Sequence, residues 1–159
     1  MWAMAKEYDI KGNPFNFGLD LAYGEKGEGE IRSFLEAVVS GDIEVKTDRY
    51  RNGRMVVETQ QNPRGAVDSD GNKIWVQSGI NVTTAKWWVY IFTLDGSFVV
   101  IATDRLKRFL KLNNHKFNES TKKTFAASSD NPSRGFLVMP EQVLDLLINT
   151  DYDSGEIHE

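Results

Sequence analysis

Residues 42–60 read DIEVKTDRYRNGRMVVETQ, and the fold turns on how this stretch pairs. Ile43 and Val45 alternate with Glu44 and Lys46, the period of two that belongs to a strand. Asn52-Gly53 is the strongest hairpin signal in the chain, and Arg54–Gln61 reads as the returning strand. A hairpin centred near residues 51–52 sets positions 44–48 beside 56–60. Glu58 and Gln60 then share one strand face, and Glu44, Lys46 and Asp48 share one face of the partner. An exposed hairpin with a solvated face has the same alternation, so the pattern alone leaves both readings open.

If the two polar faces coincide, two or three carboxylates converge, which is unfavourable unless a cation joins them. Hard oxygen ligands without histidine or cysteine suit magnesium or manganese rather than zinc. Such a metal beside a lysine or glutamine suits phosphodiester hydrolysis: it lowers the pKa of an attacking water and offsets charge on the phosphate oxygens.

Working outward, EGEIRSFLEAVV (28–39) places Ile31, Phe34, Leu35 and Val38 at helical spacing, and Ser40-Gly41 stops the helix. Residues 1–27 have glycines and no clear period, and read as an N-terminal arm. C-terminal to the hairpin, Pro63 and Gly65 break the chain, residues 64–70 read as a further edge, Asp70-Gly71 turns and 73–77 is a strand. Thr83 or Thr84 is expected to cap a short helix running into Ala85–Trp87. Trp87–Phe92 reads as a buried strand with Trp87, Val89 and Ile91 in the core and Trp88, Tyr90 and Phe92 towards a helix. Leu94-Asp95-Gly96 turns into the strand 97–102. Thr103 or Asp104 is expected to cap a basic helix over 104–112 that buries Leu106, Phe109 and Leu110. Residues 113–134 read as a long loop, 135–139 as a strand, and Pro140 as the first residue of the last helix. The expected organisation is an arm (1–27), one α/β domain (28–150) and a fraying acidic tail (151–159).

The chain has 159 residues, no cysteine and two histidines, His115 and His158. That composition excludes disulfides, thiol nucleophiles, iron–sulfur clusters and multi-histidine metal sites. No apolar run reaches the length of a membrane span, and the N-terminus lacks the order of a signal peptide, so the cytoplasm is the expected compartment and no membrane partner is expected. The formal net charge is −4, which weighs against a nucleic-acid binder that relies on phosphate neutralisation. The charges are uneven, however: residues 105–140 hold eight bases against two acids, and 141–159 hold six acids and no Lys or Arg. A basic face on an acidic protein can still steer a polyanion.

The stretch DRYRNGRMVVETQ (48–60) resembles the PD-(D/E)xK, or restriction-endonuclease-like, nuclease superfamily. Its motif is most similar to the phage junction-resolving endonucleases: an Asp, a turn containing Asn-Gly, an apolar strand, then Glu-Thr and a lysine. Nine residues separate Asp48 from Glu58. The resemblance implies a restriction-endonuclease-like core, a mixed central sheet flanked by helices, in a metal-dependent endodeoxyribonuclease of phage or prophage origin. It implies Asp48 and Glu58 as ligands of Mg²⁺ or Mn²⁺, with Glu30 added from the preceding helix. Gln60, with Lys46, would position water or phosphate. Thr84, Lys86, Arg49 and Arg51 would contact the DNA backbone. Junction resolution would need a homodimer. Two features depart from the pattern: Thr47, not proline, precedes Asp48, and Gln60 stands where the motif lysine belongs. In an alternative register Glu44-Val-Lys46 is itself the (E)xK triplet, and Asp20 or Glu30 is the upstream acid. The alternative function is a non-catalytic nucleic-acid-binding or protein-interaction protein that retains the nuclease-like fold.

Overall fold

The computed structural model describes residues 17–48, 50–93, 96–117 and 122–153. The chain divides into two compact units, residues 1–40 and 41–159. Among the described residues, the first contains one helix, α1 (Phe17–Ser40). It starts well before the expected residue 28, so the second part of the expected arm is helical; residues 1–16 lie outside the described residues. Gly24, Gly27 and Gly29 sit inside α1, although each costs about 1 kcal/mol relative to alanine there. A Cβ at any of the three would meet no atom within 4 Å, so packing does not require them. Ile31, Leu35 and Val38, expected to be the buried stripe, are exposed, while Phe34 is half-buried and Ala37 buried. Gly41, at φ +77°, ends the helix.

The second unit contains β1 (Ile43–Thr47), β2 (Met55–Gln61), β3 (Val76–Gln77), β4 (Trp87–Ile91), β5 (Phe98–Ala102), α2 (Thr103–Asn113), β6 (Lys122–Phe125), β7 (Ser133–Val138) and α3 (Pro140–Ile148). The expected single central sheet is two sheets, in strand orders β1-β4-β5 and β3-β2-β7-β6. The first is mixed: β1 runs parallel to β4, and β4 antiparallel to β5. The second is antiparallel throughout. The described residues therefore form a mixed α/β protein with two sheets and three α-helices.

The expected β1–β2 hairpin does not form. Asp48 and Asn52 instead fold the connection onto itself: Tyr50 N donates to Asp48 Oδ1 at 2.9 Å, and Arg54 N to Asn52 Oδ1 at 3.0 Å. These short side chains compete with ladder pairing and turn the chain locally. β1 pairs instead with the apolar WWVYI strand, whose first four residues are all buried, and β2 pairs with β7.

The main core joins both sheets to α2 and α3 through Met55, Val57, Trp88, Tyr90, Ile101 and Phe109, with Leu146 of α3. Three further expectations change. Residues 83–87 form no helix; a 3₁₀ turn lies at Gly79–Asn81, and Thr83 Oγ1 accepts from Ala85 N at 3.2 Å. Ala102 is the N-cap residue of α2, ahead of both Thr103 and Asp104. The expected loop 113–134 contributes β6. The tail is docked as far as Asp153: Tyr152 is buried, and its hydroxyl donates to Asp145 Oδ2 at 2.6 Å and accepts from Asn113 Nδ2 at 2.9 Å. Residues 154–159 lie outside the described residues. No helix among the described residues is long and apolar enough to cross a membrane.

Candidate active site

β1 is turned the unexpected way round. Val45 is 48% exposed, whereas the Glu44 and Lys46 side chains are only 31% and 33% exposed. Glu44 stands beside Trp88 and Lys46 beside Tyr90 in the parallel ladder. Lys46 Nζ lies 2.7 Å from Glu44 Oε1 and 5.6 Å from the centre of the Trp88 ring. The strand thus presents its charged residues on the side that the core aromatics occupy. A strand that inverts the usual polarity at a sheet edge breaks the local rule; such breaks are expected at functional or strained sites, and inward-pointing charges on an edge strand also guard against edge-to-edge pairing.

Asp48 extends this face. Its backbone N–H donates to Ile91 O at 2.7 Å, so the ladder runs one residue past β1. Tyr90 donates its hydroxyl to Asp48 Oδ2 at 3.3 Å and accepts from Val56 N at 3.0 Å. Burial pushes the Tyr90 hydroxyl up to about 12; the bond from Val56 N opposes this, and the Asp48 charge adds to it. At neutral pH the hydroxyl is therefore a donor that holds the Asp48 carboxylate in one orientation.

Glu58 is held separately. Ser78 Oγ donates to Glu58 Oε1, and Ser78 N donates to Thr59 O at 2.9 Å. Gly79, at φ +52°, lies against the Glu58 backbone so closely that a Cβ there would collide with its carbonyl. On the other side, a Cβ at Gly135 of β7 would collide with the Val57 carbonyl. Between Glu58 and Gln60 the register shifts: Glu58 pairs with Gly135 and Gln60 with Arg134, leaving Thr59 as an extra residue. This bulge interrupts the alternation that would put Glu58 and Gln60 on one face.

Glu44, Lys46 and Asp48 are therefore brought onto one face, with Asp48 tied to β2 through Tyr90, whereas Glu58 is set apart in its own clamp. Glu30 is exposed on α1, in the other unit. The side chain of Asp20 and the whole of Arg49 lie outside the described residues. Arg51, Thr84 and Lys86 are exposed. Among the described residues, no group of three or more His, Asp or Glu side chains is placed to hold a metal ion. The carboxylates present are hard oxygen donors that fit magnesium in kind, since that ion takes one or two protein carboxylates and fills its remaining positions with water and phosphate oxygens. Sequence reasoning missed Tyr90 and Ser78. The only signal for Tyr90 was its place two residues after Trp88 in a strand able to lie beside β1.

In comparisons with known proteins, no family model, no curated protein and no solved structure matches the chain.

Proposed function

We propose that the chain is a metal-dependent endodeoxyribonuclease built on a variant of the restriction-endonuclease-like core. The observation that carries this reading is the inward-turned face of β1, where Lys46 lies between Glu44 and Asp48 and Asp48 is oriented by a buried tyrosine. Support for the core comes from the helix that precedes the acidic strand and from the mixed β1-β4-β5 sheet; β1 and β2, which do not pair with each other, depart from it. Asp48 would hold Mg²⁺ or Mn²⁺, with Glu44 of the same face or Glu58 of β2 as the second carboxylate and water and phosphate oxygens in the remaining positions; Glu30, the ligand expected from the preceding helix, belongs to the other unit. The metal would supply an activated water and offset charge on the phosphate oxygens. Lys46 fills the role for which Gln60 is poorly placed: its ammonium orients water or the scissile phosphate. Tyr90 keeps the Asp48 carboxylate fixed. Water attacks phosphorus in line, and no covalent enzyme intermediate forms. Double-strand cleavage would need two copies of the chain, acting in the cytoplasm of the host cell.

The test is cleavage of plasmid, single-stranded and four-way-junction DNA by purified protein in Mg²⁺, Mn²⁺ or EDTA, alongside Asp48→Ala and Glu58→Ala. The expected result is metal-dependent cleavage, lost in both variants with circular dichroism unchanged. Full activity in either variant removes that residue from the site. No cleavage of any substrate by the folded protein leaves the non-catalytic nucleic-acid-binding or protein-interaction reading.

A further inference from the structure

Two shallow clefts lie side by side on the second unit. One, of about 380 Å³, is lined by Lys122, Lys123, Thr124 and Arg134. The other, of about 480 Å³, is lined by Lys107, Lys111, Asn81 and Asn114. Both include Thr59 and Phe136, so they meet over the β2–β7 pair. Among the described residues neither lining includes a carboxylate, although the chain as a whole is net negative at −4. Five cations are thus concentrated from α2, β6 and β7, three elements that the sequence separates by up to 27 residues.

The cations are held in different ways. The Arg134 guanidinium lies 3.8 Å from the centre of the Trp75 ring, a stacked contact that fixes its plane. Lys122 Nζ lies 5.9 Å from the Phe136 ring centre, and Lys107 Nζ donates to Thr83 O at 3.3 Å. Lys107 and Lys111 are four residues apart on α2 and therefore on one helix face. Point-charge ammoniums, one oriented guanidinium and interleaved threonine and asparagine donors match the chemistry of a phosphodiester chain. The shared residue Thr59 is the bulged residue next to Glu58.

We propose that these joined clefts bind the phosphate backbone of a nucleic-acid strand and guide it past β2. The inference rests on the nuclease reading for its ligand, and names the track that the substrate would follow.

The experiment measures binding in EDTA, so that cleavage plays no part. Fluorescence anisotropy is recorded with a fluorescein-labelled 20-nucleotide single strand and with its duplex, over a range of salt, with polyglutamate as competitor. The variants are Lys107→Gln/Lys111→Gln, Lys122→Gln/Lys123→Gln, and Lys73→Gln as an exposed control outside both clefts. Each double variant should weaken DNA binding about ten-fold and flatten the log K against log salt slope by about 1.5, while the control leaves both unchanged. The stronger of the two DNA forms identifies the substrate's strandedness. If β6 variants self-associate because an edge strand has lost its lysines, the α2 pair decides alone. Unchanged affinity in the α2 pair, no DNA binding by the parent protein, or equal displacement by polyglutamate overturns the inference. Cleavage that persists while the lysine variants bind normally overturns the track and leaves the nuclease reading standing. DNA binding lost in the lysine variants, without cleavage in any metal, supports the track and overturns the nuclease reading.

Discussion

The Tyr90 hydroxyl donates to the Asp48 carboxylate at 3.3 Å while accepting from Val56 N at 3.0 Å. One buried phenol thereby joins the end of β1, in one sheet, to β2 in the other. Val56 lies two residues before Glu58, about 7 Å along the strand. The two candidate carboxylates thus belong to segments joined by this side-chain tether, and the tether bears on both stability and pH dependence.

Tyr90→Phe keeps the ring in the core and removes the hydroxyl. Val56 N and one Asp48 oxygen lose their partner, which should cost about 1–3 kcal/mol. Urea unfolding of the variant checks this. A cost near zero would show that water replaces the hydroxyl.

The same group sets an alkaline limit. Tyrosine titrates near 10 in an unfolded chain, and burial raises Tyr90 to about 12 in the folded one. Between those values the unfolded chain has released a proton that the folded chain retains. Stability from this group is therefore complete below pH 10 and falls as pH rises towards 12, by about 2–3 kcal/mol in all. Urea midpoints at pH 8, 10 and 11.5 should drop more steeply for the parent protein than for Tyr90→Phe. Parallel slopes would place the Tyr90 titration near its ordinary value.

Three glycines separate strain from close packing. Gly71→Ala meets only the backbone strain of φ +83° in open space, at a cost of about 1–2 kcal/mol. Gly135→Ala has no strain from φ but drives its Cβ into the backbone of the neighbouring strand β2, and should cost about 3 kcal/mol or more. Gly79→Ala meets both penalties, with φ +52° and the Glu58 carbonyl in the way, and should cost about 3 kcal/mol or more. In thermal melts Gly71→Ala should lose the least, and Gly79→Ala and Gly135→Ala should both lose clearly more; equal losses in all three would show that the sheet backbone yields to the added Cβ.

Arg105 closes the C-terminal end of α3. Its Nε and Nη2 donate to Leu146 O and Asn149 O, each at 2.7 Å, and Nη1 pairs with Asp153. Arg105→Ala should lose about 2–4 kcal/mol, because two charge-assisted bonds to helix-end carbonyls go. Arg105→Lys should recover less than half, since an ammonium cannot span both carbonyls. Asp153→Ala should cost under about 1 kcal/mol, as that carboxylate side chain is 60% exposed. Equal losses for Arg105→Ala and Asp153→Ala would assign the docking to the ion pair.

Local signals were legible where local chemistry decides. Pro140 opens α3, the basic amphipathic pattern makes α2, and the alternations around Val57 and Val100 make strands. Asn52-Gly53 makes a turn, but the choice of strand partner depends on residues 87–91 and 133–138, far away in sequence. Gly24 and Gly27, placed in the expected arm, are helical, because helix propensity is a weak prior. In the site, the acids of β1 and β2 were legible and their tethers were not: Tyr90 acts on Asp48 across 42 residues, and Ser78 on Glu58 across 20. The basic segment 105–140 likewise reads as one block, yet Arg105 and Arg108 dock the C-terminal end while Lys107 and Lys111 line a cleft.

The choice between Lys46 and Gln60 as the polar group beside the acids is open to a direct test. Gln60 sits in mid-sheet between Arg134 and Gln77, beyond the bulge that separates it from Glu58. Lys46 lies on the face shared with Glu44 and Asp48. Lys46→Ala should lower kcat about 10²–10⁴-fold if its ammonium orients water or phosphate in the transition state. The change in stability should stay within about 1 kcal/mol, because the ion pair with Glu44 is one-third exposed. Glu44→Gln should show a similar loss of kcat, whereas Gln60→Ala should keep kcat within about three-fold. Steady-state cleavage in Mg²⁺, with melting temperatures alongside, reads both quantities. A large loss in Gln60→Ala with Lys46→Ala near parental activity would return the motif to Glu58 and Gln60. In that case the inward polarity of β1 would serve packing against Trp88 rather than chemistry.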